Sequence, residues 1–174
     1  MQNLRNNMKG TISEKVQQSI ANSQQPELKY CYKYPHPAVT ADCVIFGFDE
    51  SNIMKVLLIQ RGNDPYKGKW AFPGGFMEID ETAEQCARRE LEEETGLKDV
   101  AVEQFYTFTD VKRDPRERVI TVAHYALVKL SEVKGGDDAD DAQWFSLDEL
   151  PPLAFDHEEI LNKSLQTLKE RKKL

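Results

Sequence analysis

The spacing of apolar residues predicts strands interrupted by two helices. Residues 38–49 and 55–61 are rich in β-branched and aromatic side chains, and the polar turn at 49–52 separates them, which predicts two strands. The same pattern predicts three more strands, at 101–109, 119–130 and 143–146. We interpret the polar stretches between them, including the charged loop at 110–118 and the acidic run at 137–141, as loops. This mixture predicts one α/β domain with a mixed sheet.

The first residues do not share this pattern. Residues 1–34 are polar and rich in Gln and Asn, with too few apolar positions for a core of their own. Ile12, Val16 and Ile20 recur at helical spacing, so a short helix near residues 11–23 is predicted within an N-terminal arm. This arm is expected to pack on the core or on a partner subunit, or to be frayed. Pro35 and Pro37 then mark the entry to the domain, residues 35–174.

Capping residues delimit the two predicted helices. Thr82 is a favourable N-cap, Gln85 completes a capping box with it, and Gly96 is a natural residue to end that helix. A second helix is predicted over residues 156–173, with Asp156 and Glu159 as its capping box. Its predicted core face consists of Ile160, Leu161, Ser164, Leu165 and Leu168.

The first helix carries an unusual cluster of carboxylates. Glu90, Glu93 and Glu94 fall within a sector of roughly 100° on a helical projection. Ala83, Cys86 and Ala87 point to that side, whereas Glu84, Arg88 and Glu92 point to the opposite one. Like charges on an inward face are destabilising unless they are compensated, and hard oxygen ligands suit Mg²⁺ or Mn²⁺. The cluster therefore predicts a divalent metal site; the alternative is a Glu-rich surface helix.

Overall charge and cysteine usage narrow the class of protein. The chain has 174 residues and a formal net charge of −7, which argues against an electrostatic nucleic-acid binder. Its cysteines, Cys31, Cys43 and Cys86, are odd in number and form no C-x-x-C pair, which is typical of a reducing cytoplasm. The sequence shows no signal-peptide pattern and no apolar run of about 20 residues. We therefore expect a soluble cytoplasmic protein without a membrane partner.

The stretch from Gly75 to Leu97 resembles the Nudix box, G-x5-E-x7-R-E-U-x-E-E-x-G-U, where U is aliphatic. Every constrained position matches: Gly75, Glu81, Arg89, Glu90, Leu91, Glu93, Glu94, Gly96 and Leu97. The resemblance implies a pyrophosphohydrolase acting on a nucleoside diphosphate linked to another moiety. It also implies the Nudix fold, an α/β/α sandwich in which the box forms a loop–helix–loop.

The resemblance also assigns roles to the residues of the box. It implies that Glu90, Glu93 and Glu94 hold Mg²⁺ or Mn²⁺, with the backbone carbonyl of Gly75 as a further ligand. Arg89 is expected to hold a catalytic glutamate through an ion pair, or else to contact phosphate. These residues share the box with Glu81, which is expected to be an outer-sphere ligand or an assisting base.

The general base is open at this stage. Nudix enzymes take the base either from the box or from a later loop, and this sequence offers both. Glu93, in the box, is the first choice. Asp114, Glu117 and the run at 137–141 are the loop alternatives, although acidic loop runs are usually just solvated.

Outside the box, four phrases resemble the ADP-ribose pyrophosphatase branch and the related Nudix transcriptional regulators of NAD metabolism: YPHPAVTADCVIF, RGNDPYKGKWAFPGGF, RDPRER and LAFDHEEIL. Those regulators carry a winged-helix domain after the Nudix domain, and this sequence ends at Leu174, so the enzyme is favoured. The implied reaction converts ADP-ribose or an ADP-sugar to AMP and sugar phosphate, in a homodimer. The alternatives are a sanitising hydrolase of nucleoside triphosphates and a non-catalytic ADP-ribose sensor.

Several side chains are candidates for binding such a substrate. Arg61, Arg113 and Arg116 are expected to bind phosphate or ribose, with surface salt bridges as the alternative. Trp70 or Phe155 is expected to stack on adenine, although aromatic residues beside apolar runs more often belong to the core. For His157, the alternatives are a substrate-facing role and an exposed or capping position.

Overall fold

A computed structural model describes residues 32–136 and 139–173. The chain divides into two compact units, Met1–His36 and Pro37–Leu174. The described part of the first unit, residues 32–36, contains neither helix nor strand. The helix predicted at 11–23 lies outside the described residues, so the N-terminal arm stays a prediction.

The second unit contains the five predicted strands and two predicted helices, together with two short strands, at Trp70–Ala71 and Gly74–Phe76, that the sequence pattern did not predict. In chain order the elements are β1 (Ala38–Phe48), β2 (Met54–Arg61), β3 (Trp70–Ala71), β4 (Gly74–Phe76), α1 (Ala83–Thr95), β5 (Glu103–Phe108), β6 (Val119–Lys129), β7 (Ala139–Ser146) and α2 (His157–Glu170). Strand β7 begins four residues before its predicted start, so the expectation of a loop at 139–141 is wrong. In this stretch Ala139 and Asp141 pair with Arg61 and Gln60 of β2, with a register shift between them, and this pairing overrides the polarity of the side chains.

The strands form one mixed sheet with the order β3-β2-β1-β6-β5, in which β7 also pairs with β2. Strand β1 runs parallel to β6 and antiparallel to β2. It has two partners along its other edge: its C-terminal end pairs with β2, and its residues Thr40–Asp42 pair with β4. This divergence places Asp42 directly opposite Gly74, at the entrance to the box.

The two helices cover opposite faces of the sheet. Side chains on a strand alternate between the faces. One face of β1 presents Ala41, Cys43 and Ile45 to a core cluster that includes buried residues of α1. The other face presents Val44 and Phe46 to a cluster that includes Ile160, Leu161 and Leu168 of α2. The architecture is therefore the expected α/β/α sandwich.

Both ends of helix α1 are capped as the sequence predicts. Thr82 Oγ1 accepts a hydrogen bond from the Gln85 N–H at 3.3 Å, and Gln85 Oε1 accepts one from the Thr82 N–H at 2.8 Å. Gly96 closes the helix with φ of 76°, a left-handed conformation that favours glycine. Both the capping box and the glycine C-cap are confirmed.

Helix α2 has the predicted core face but not the predicted cap. Ile160, Leu161, Ser164 and Leu168 are buried, and Leu165 is partly buried. Asp156 occupies the N-cap position without a side-chain capping hydrogen bond, so the Asp156–Glu159 capping box is wrong. The physical reason is that Arg113 occupies both oxygens of the Asp156 carboxylate. Across the described ranges, no helix is long and apolar enough to cross a membrane.

Candidate active site

A cleft of about 540 Å³ opens where α1, the 113–116 loop and the start of α2 meet the sheet. Most residues predicted for the site line it: Arg61, Gly75, Arg89, Glu90, Glu93, Glu94, Arg113, Arg116, Phe155 and His157. Two predicted residues, Glu81 and Trp70, do not. The cleft has an acidic side formed by the box and a facing side formed by arginines and aromatic rings, which we call the distal wall (Arg61, Phe76, Arg113, Arg116, Phe155 and His157).

Gly75, whose backbone carbonyl is a predicted metal ligand, packs against the carboxylate of Glu90. A Cβ atom on Gly75 would overlap the carboxylate of Glu90, so no other residue fits at this position without moving Glu90. The Cys86 thiol, on the same helix, lies 3.6 Å from the Gly75 carbonyl oxygen. The close approach holds the Gly75 backbone beside the carboxylates, as a shared ligand set requires.

Arg89 is the shared counterion of the acidic side. Its Nη2 donates to Glu81 Oε1 at 2.7 Å, and its Nη1 donates to Glu90 Oε1 at 2.7 Å and to Glu93 Oε2 at 3.0 Å. The hydrogen bonds from Arg89 lower the pKa of Glu81 to about 2, so Glu81 stays ionised. The ion pairs expected of Arg89 are present, and they extend to three carboxylates. Glu81 lies behind this guanidinium rather than in the cleft lining.

The three metal-ligand candidates differ in their burial. Glu94 is buried and accepts a hydrogen bond from the Gly74 N–H at 2.9 Å; burial raises its pKa to about 8. Burial also raises the pKa of Glu90. The side chain of Glu93 is 42% exposed, so the expectation that all three glutamates face inward is wrong for Glu93. Its position is the rim of the cleft, where it faces solvent as well as Arg89.

These residues fit a hard divalent cation in chemistry and in backbone placement. Carboxylate and carbonyl oxygens are the ligands that Mg²⁺ and Mn²⁺ prefer. Two of the three carboxylates, those of Glu90 and Glu93, are hydrogen-bonded to Arg89 as they stand. Consistent with this, no three acidic, His or Cys side chains in the described part of the chain converge in a metal-binding arrangement. Arg89 binds one oxygen of each of these carboxylates, Oε1 of Glu90 and Oε2 of Glu93, which leaves the second oxygen of each outside this ion pair.

On the distal wall, Arg113 is buried rather than exposed. Its Nε and Nη2 each donate to one oxygen of Asp156 at 2.8 Å, and Nη2 lies 3.5 Å from Asp42 Oδ2. The guanidinium fork predicted for phosphate or ribose is therefore mostly occupied by Asp156. The alternative of a surface salt bridge is also wrong, because only 4% of the side chain is exposed.

Arg116 and Arg61 lie over aromatic rings of the distal wall. The Arg116 guanidinium carbon lies 5.1 Å from the centroid of Phe76 and 5.6 Å from that of Phe155. That of Arg61 lies 4.9 Å from the Phe155 centroid. Phe155 has φ of 50°, a left-handed conformation that is uncommon for a bulky residue, and its ring meets Tyr66 edge-on at 4.7 Å. Flat cationic and aromatic groups thus lie together in the cleft, an arrangement suited to a planar anionic ligand.

His157 is a buried member of the distal wall, which contradicts an exposed or capping position. Its Nδ1 accepts a hydrogen bond from the Phe72 N–H at 2.9 Å, and its ring stacks on that of Phe72 at 5.2 Å. Burial lowers the pKa of His157, so the ring is neutral at physiological pH. Its place in the cleft lining is compatible with the substrate-facing role.

Trp70 lies outside the cleft lining, against the core. Its ring meets that of Phe145 edge-on at 4.6 Å and packs on the core cluster of α2. The expectation that Trp70 stacks on adenine is therefore wrong, and the core alternative is correct for this residue. A two-residue strand explains the difference, because β3 pairs with β2 and points Trp70 to the face opposite the box.

Of the described loop alternatives for the general base, Asp114 lines the cleft, but its carboxylate is engaged by Arg116. Asp114 is buried, and its Oδ2 accepts from Arg116 at 2.7 Å; burial would raise its pKa, but the Arg116 hydrogen bonds outweigh this and lower it. Glu117 is exposed and outside the cleft lining. In the acidic run, Asp140 and Asp141 belong to β7, and Asp137 and Asp138 lie outside the described residues.

Sequence reasoning missed several residues of the cleft lining, and Asp42 and Phe76 are two that the site uses. Asp42 was detectable in principle, because it is a lone charge within an otherwise apolar strand, AVTADCVIFGF. A charge at such a position is costly unless it is paired or used. Phe76 carries no such signal, since its variable position within the box says nothing about Arg116, which is 40 residues away.

Comparisons with known proteins agree with this geometry. The NUDIX domain family matches residues 36–166. The chain is 44% identical over 135 residues to an ADP-ribose pyrophosphatase of Methanocaldococcus jannaschii, covering 78% of this chain and 77% of that one. It is 35% identical over 143 residues to the ADPR responsive transcriptional repressor NtrR of Acinetobacter baylyi, covering 79% of this chain and 57% of the repressor.

A solved structure is similar as well. The NUDIX domain of Shewanella oneidensis NrtR, crystallised with ADP ribose, superposes with a TM-score of 0.74 at 32% identity, covering 87% of this chain and 97% of that one. Fold, box geometry and family match thus agree over nearly all of the second unit. The chain belongs to the Nudix family, and it is a Nudix pyrophosphohydrolase.

Proposed function

We propose that this enzyme hydrolyses the diphosphate linkage of ADP-ribose or an ADP-sugar, releasing AMP and a sugar phosphate. The observation that carries the proposal is the two-sided cleft. Its acidic side suits cation-assisted chemistry at a diphosphate, and its distal wall offers planar cations and aromatic rings to the nucleoside. The similarity to the M. jannaschii pyrophosphatase and to the NrtR domain crystallised with ADP ribose supports this substrate class.

The cation in this proposal is Mg²⁺ or Mn²⁺. Glu90, Glu93, Glu94 and the carbonyl oxygen of Gly75 would hold it. A divalent ion in this position polarises phosphoryl oxygens and lowers the pKa of a bound water.

Residues of the chain are proposed to accept the proton and to position the carboxylates. Water adds to one phosphorus, the bridging P–O bond breaks, and the proton of the water passes to a carboxylate. Glu93 is the proposed base, since its side chain is partly exposed at the cleft rim while Glu94 is buried. Arg89 is the proposed positioning residue, because it contacts Glu81, Glu90 and Glu93 together. Glu81 anchors Arg89 from the far side.

On the distal wall, Arg116, Arg61 and Phe155 are the proposed substrate contacts. Arg116 donates from Nε and Nη2 to Asp114, but it is 39% exposed and faces two rings, so its Nη1 can contact a phosphate while the rings pack on the base. Arg113 is the proposed anchor of the loop rather than a phosphate fork, because Asp156 occupies it.

A substrate panel tests the proposal. The purified enzyme is incubated with ADP-ribose, ADP-glucose, NADH and deoxynucleoside triphosphates, each with Mg²⁺ or Mn²⁺, and products are separated by ion-exchange chromatography. We expect AMP from ADP-ribose or ADP-glucose, and no AMP when EDTA is present. Selective release of pyrophosphate from deoxynucleoside triphosphates would instead assign a sanitising hydrolase.

A second candidate function is an ADP-ribose sensor. The observation in its favour is the 35% identity to the ADPR responsive repressor of A. baylyi. Tight binding of ADP-ribose without turnover of any diphosphate in the same panel would support it. The intact carboxylates of Glu90, Glu93 and Glu94 favour the enzyme.

The proposed assembly is a homodimer in the cytoplasm, as the branch resemblance implies. Light scattering coupled to size-exclusion chromatography measures the mass directly. A mass near that of one 20.0 kDa chain would contradict the dimer.

A further inference from the structure

Asp42 is a buried carboxylate with one oxygen, Oδ2, that accepts no hydrogen bond from any residue that the structure describes. It is 6% exposed and lines the cleft. Its Oδ2 has no hydrogen-bond partner within the described ranges, and the nearest cation, Arg113 Nη2, is 3.5 Å away. Leaving a buried carboxylate short of donors is costly, so such a group requires an explanation. A donor arriving with the ligand would supply one.

His157 contributes a donor to the same cleft. A backbone N–H can only donate, so the Nδ1 that accepts from Phe72 carries no proton. In the neutral ring the proton therefore resides on Nε2. The state is also electrostatically consistent, because burial lowers the pKa of His157 against the opposing influence of nearby Asp42. His157 is thus a hydrogen-bond donor of fixed tautomer rather than a proton acceptor.

Arg113 contributes a second donor. Its Nε and Nη2 are engaged by Asp156, whereas Nη1 makes no hydrogen bond to any residue that the structure describes. The guanidinium cannot rotate away, since both bonds to Asp156 fix its plane. The floor of the cleft therefore combines an underused acceptor, Asp42, with two rigid donors, His157 and Arg113.

We propose that Asp42, His157 and Arg113 form a recognition site for a sugar hydroxyl next to the diphosphate, with Asp42 accepting from the hydroxyl and one of the other two donating to it. A hydroxyl is the ligand group that both donates and accepts. A bare cation suits this floor poorly, because the Arg113 charge is adjacent to Asp42. Phosphate suits it poorly too, because Asp42 would repel it. The inference rests on the proposed function and extends it to a specificity-determining residue.

Binding measurements with matched ligands test the site. Isothermal titration calorimetry in EDTA, which withholds the proposed cation, compares ADP-ribose with five deoxy analogues. Four analogues each lack one 2- or 3-hydroxyl of either ribose, and the fifth lacks the anomeric hydroxyl of the distal ribose. Wild type is compared with Asp42→Asn, which keeps the shape of the side chain but removes the charge. Asp148→Asn is the control, since Asp148 is exposed and outside the cleft. Asp42→Ala repeats the comparison without an amide.

We expect Asp42→Asn to weaken ADP-ribose binding by about 10-fold, the effect typical of a hydrogen bond to a charged group. One deoxy analogue should bind wild type about as weakly as ADP-ribose binds Asp42→Asn, and the variant should discriminate little between the two ligands. The analogue that shows this loss identifies the ribose involved. Asp148→Asn should bind every ligand as wild type does.

Equal weakening of all six ligands by Asp42→Asn, or none at all, would overturn the inference, since neither result depends on a hydroxyl. These outcomes leave the proposed function intact as long as wild type binds ADP-ribose. Failure of wild type to bind ADP-ribose while it binds deoxynucleoside triphosphates would reject the proposed function, and this inference with it. The two failures are therefore distinguishable in one experiment.

Discussion

The two sides of the cleft are built from contacts of very different range. On the acidic side, Arg89 reaches Glu81, Glu90 and Glu93, all within eight residues of it along the chain. On the distal wall, Arg113 binds Asp156 across 43 residues, and His157 meets Phe72 across 85. The acidic side is therefore encoded by one segment, and the distal wall only by the complete fold.

This difference has a functional meaning. A local segment can carry the same chemistry on many versions of a domain, because its geometry depends on one helix and its caps. The distal wall depends on how the 113–116 loop and the start of α2 pack, so its shape can change without altering the box. In the proposed function, reaction type and substrate choice thus belong to different sides of one cleft. Four predictions can break or sharpen this division.

The largest effect is expected on the acidic side. Glu93→Gln should lower kcat by about 10²- to 10⁴-fold at saturating Mg²⁺, the usual contribution of a general base. The next residue provides a matched control: Glu92 is exposed on the opposite side of α1 and pairs with Lys98. Glu92→Gln should change kcat less than about twofold. Near-normal turnover of Glu93→Gln in steady-state assays would remove Glu93 from the essential residues.

A large effect on stability is expected at Glu94. Burial raises its pKa from 4.5 to about 8, so the folded chain keeps a proton that the unfolded chain releases, and stability falls as the pH rises through that window. Glu94→Gln keeps an acceptor for the Gly74 N–H but carries no charge. In EDTA at pH 9 the variant should melt about 5 °C or more above wild type.

Well below pH 4.5 the two melting curves should converge, because Glu94 is then neutral in both folded and unfolded chains. Differential scanning calorimetry across this range checks the slope. A constant offset between the two proteins at all pH values would contradict the raised pKa, and Glu92→Gln reports any general effect of removing a carboxylate from α1.

An intermediate effect is expected when the distal wall loses its anchor. Arg113→Lys keeps the charge but cannot bond both Asp156 oxygens in a fork. We expect KM for ADP-ribose to rise about 10-fold with kcat within about threefold, because the box is untouched. Arg88→Lys, an exposed substitution of the same type on α1, should leave both constants unchanged. A fall in kcat with constant KM would place Arg113 in the chemistry instead.

The smallest effect separates two aromatic residues that looked alike in the sequence. Phe155→Leu should raise KM about fivefold, since it removes the ring that faces Arg61 and Arg116. Trp70→Phe should leave KM within about twofold and lower the melting temperature by a few degrees, because Trp70 packs against Phe145 in the core. Comparable KM changes in both variants would contradict the assignment of Phe155 to the cleft and Trp70 to the core.

The same division explains which features could be predicted from sequence. The strands, the α1 caps and the ion-pairing of Arg89 follow from local periodicity and from the box, where the determinants are only a few residues apart. The start of β7 was misplaced because pairing with β2 overrides the polarity of Asp140 and Asp141. The local sequence of β7 does not indicate that this strand pairs with β2.

The distal wall illustrates the other limit. Asp156 and Glu159 fit the capping-box pattern, yet Asp156 is engaged by Arg113 instead. His157 resembles an exposed first-turn residue, yet it is buried because Phe72 supplies a backbone donor. In both cases a distant residue competes for the side chain and wins, and a single sequence does not reveal that competitor.

The guanidinium at the centre of the box also affects the order in which the protein matures. In small zinc domains the ligands remain unfolded until the ion arrives, so folding and loading are one event. Here Arg89 serves as a resident counterion for Glu81, Glu90 and Glu93, and the helix that bears it has a complete capping box. The polypeptide can therefore finish folding first and acquire the proposed cation afterwards. Chelators should then silence the enzyme reversibly, without melting it.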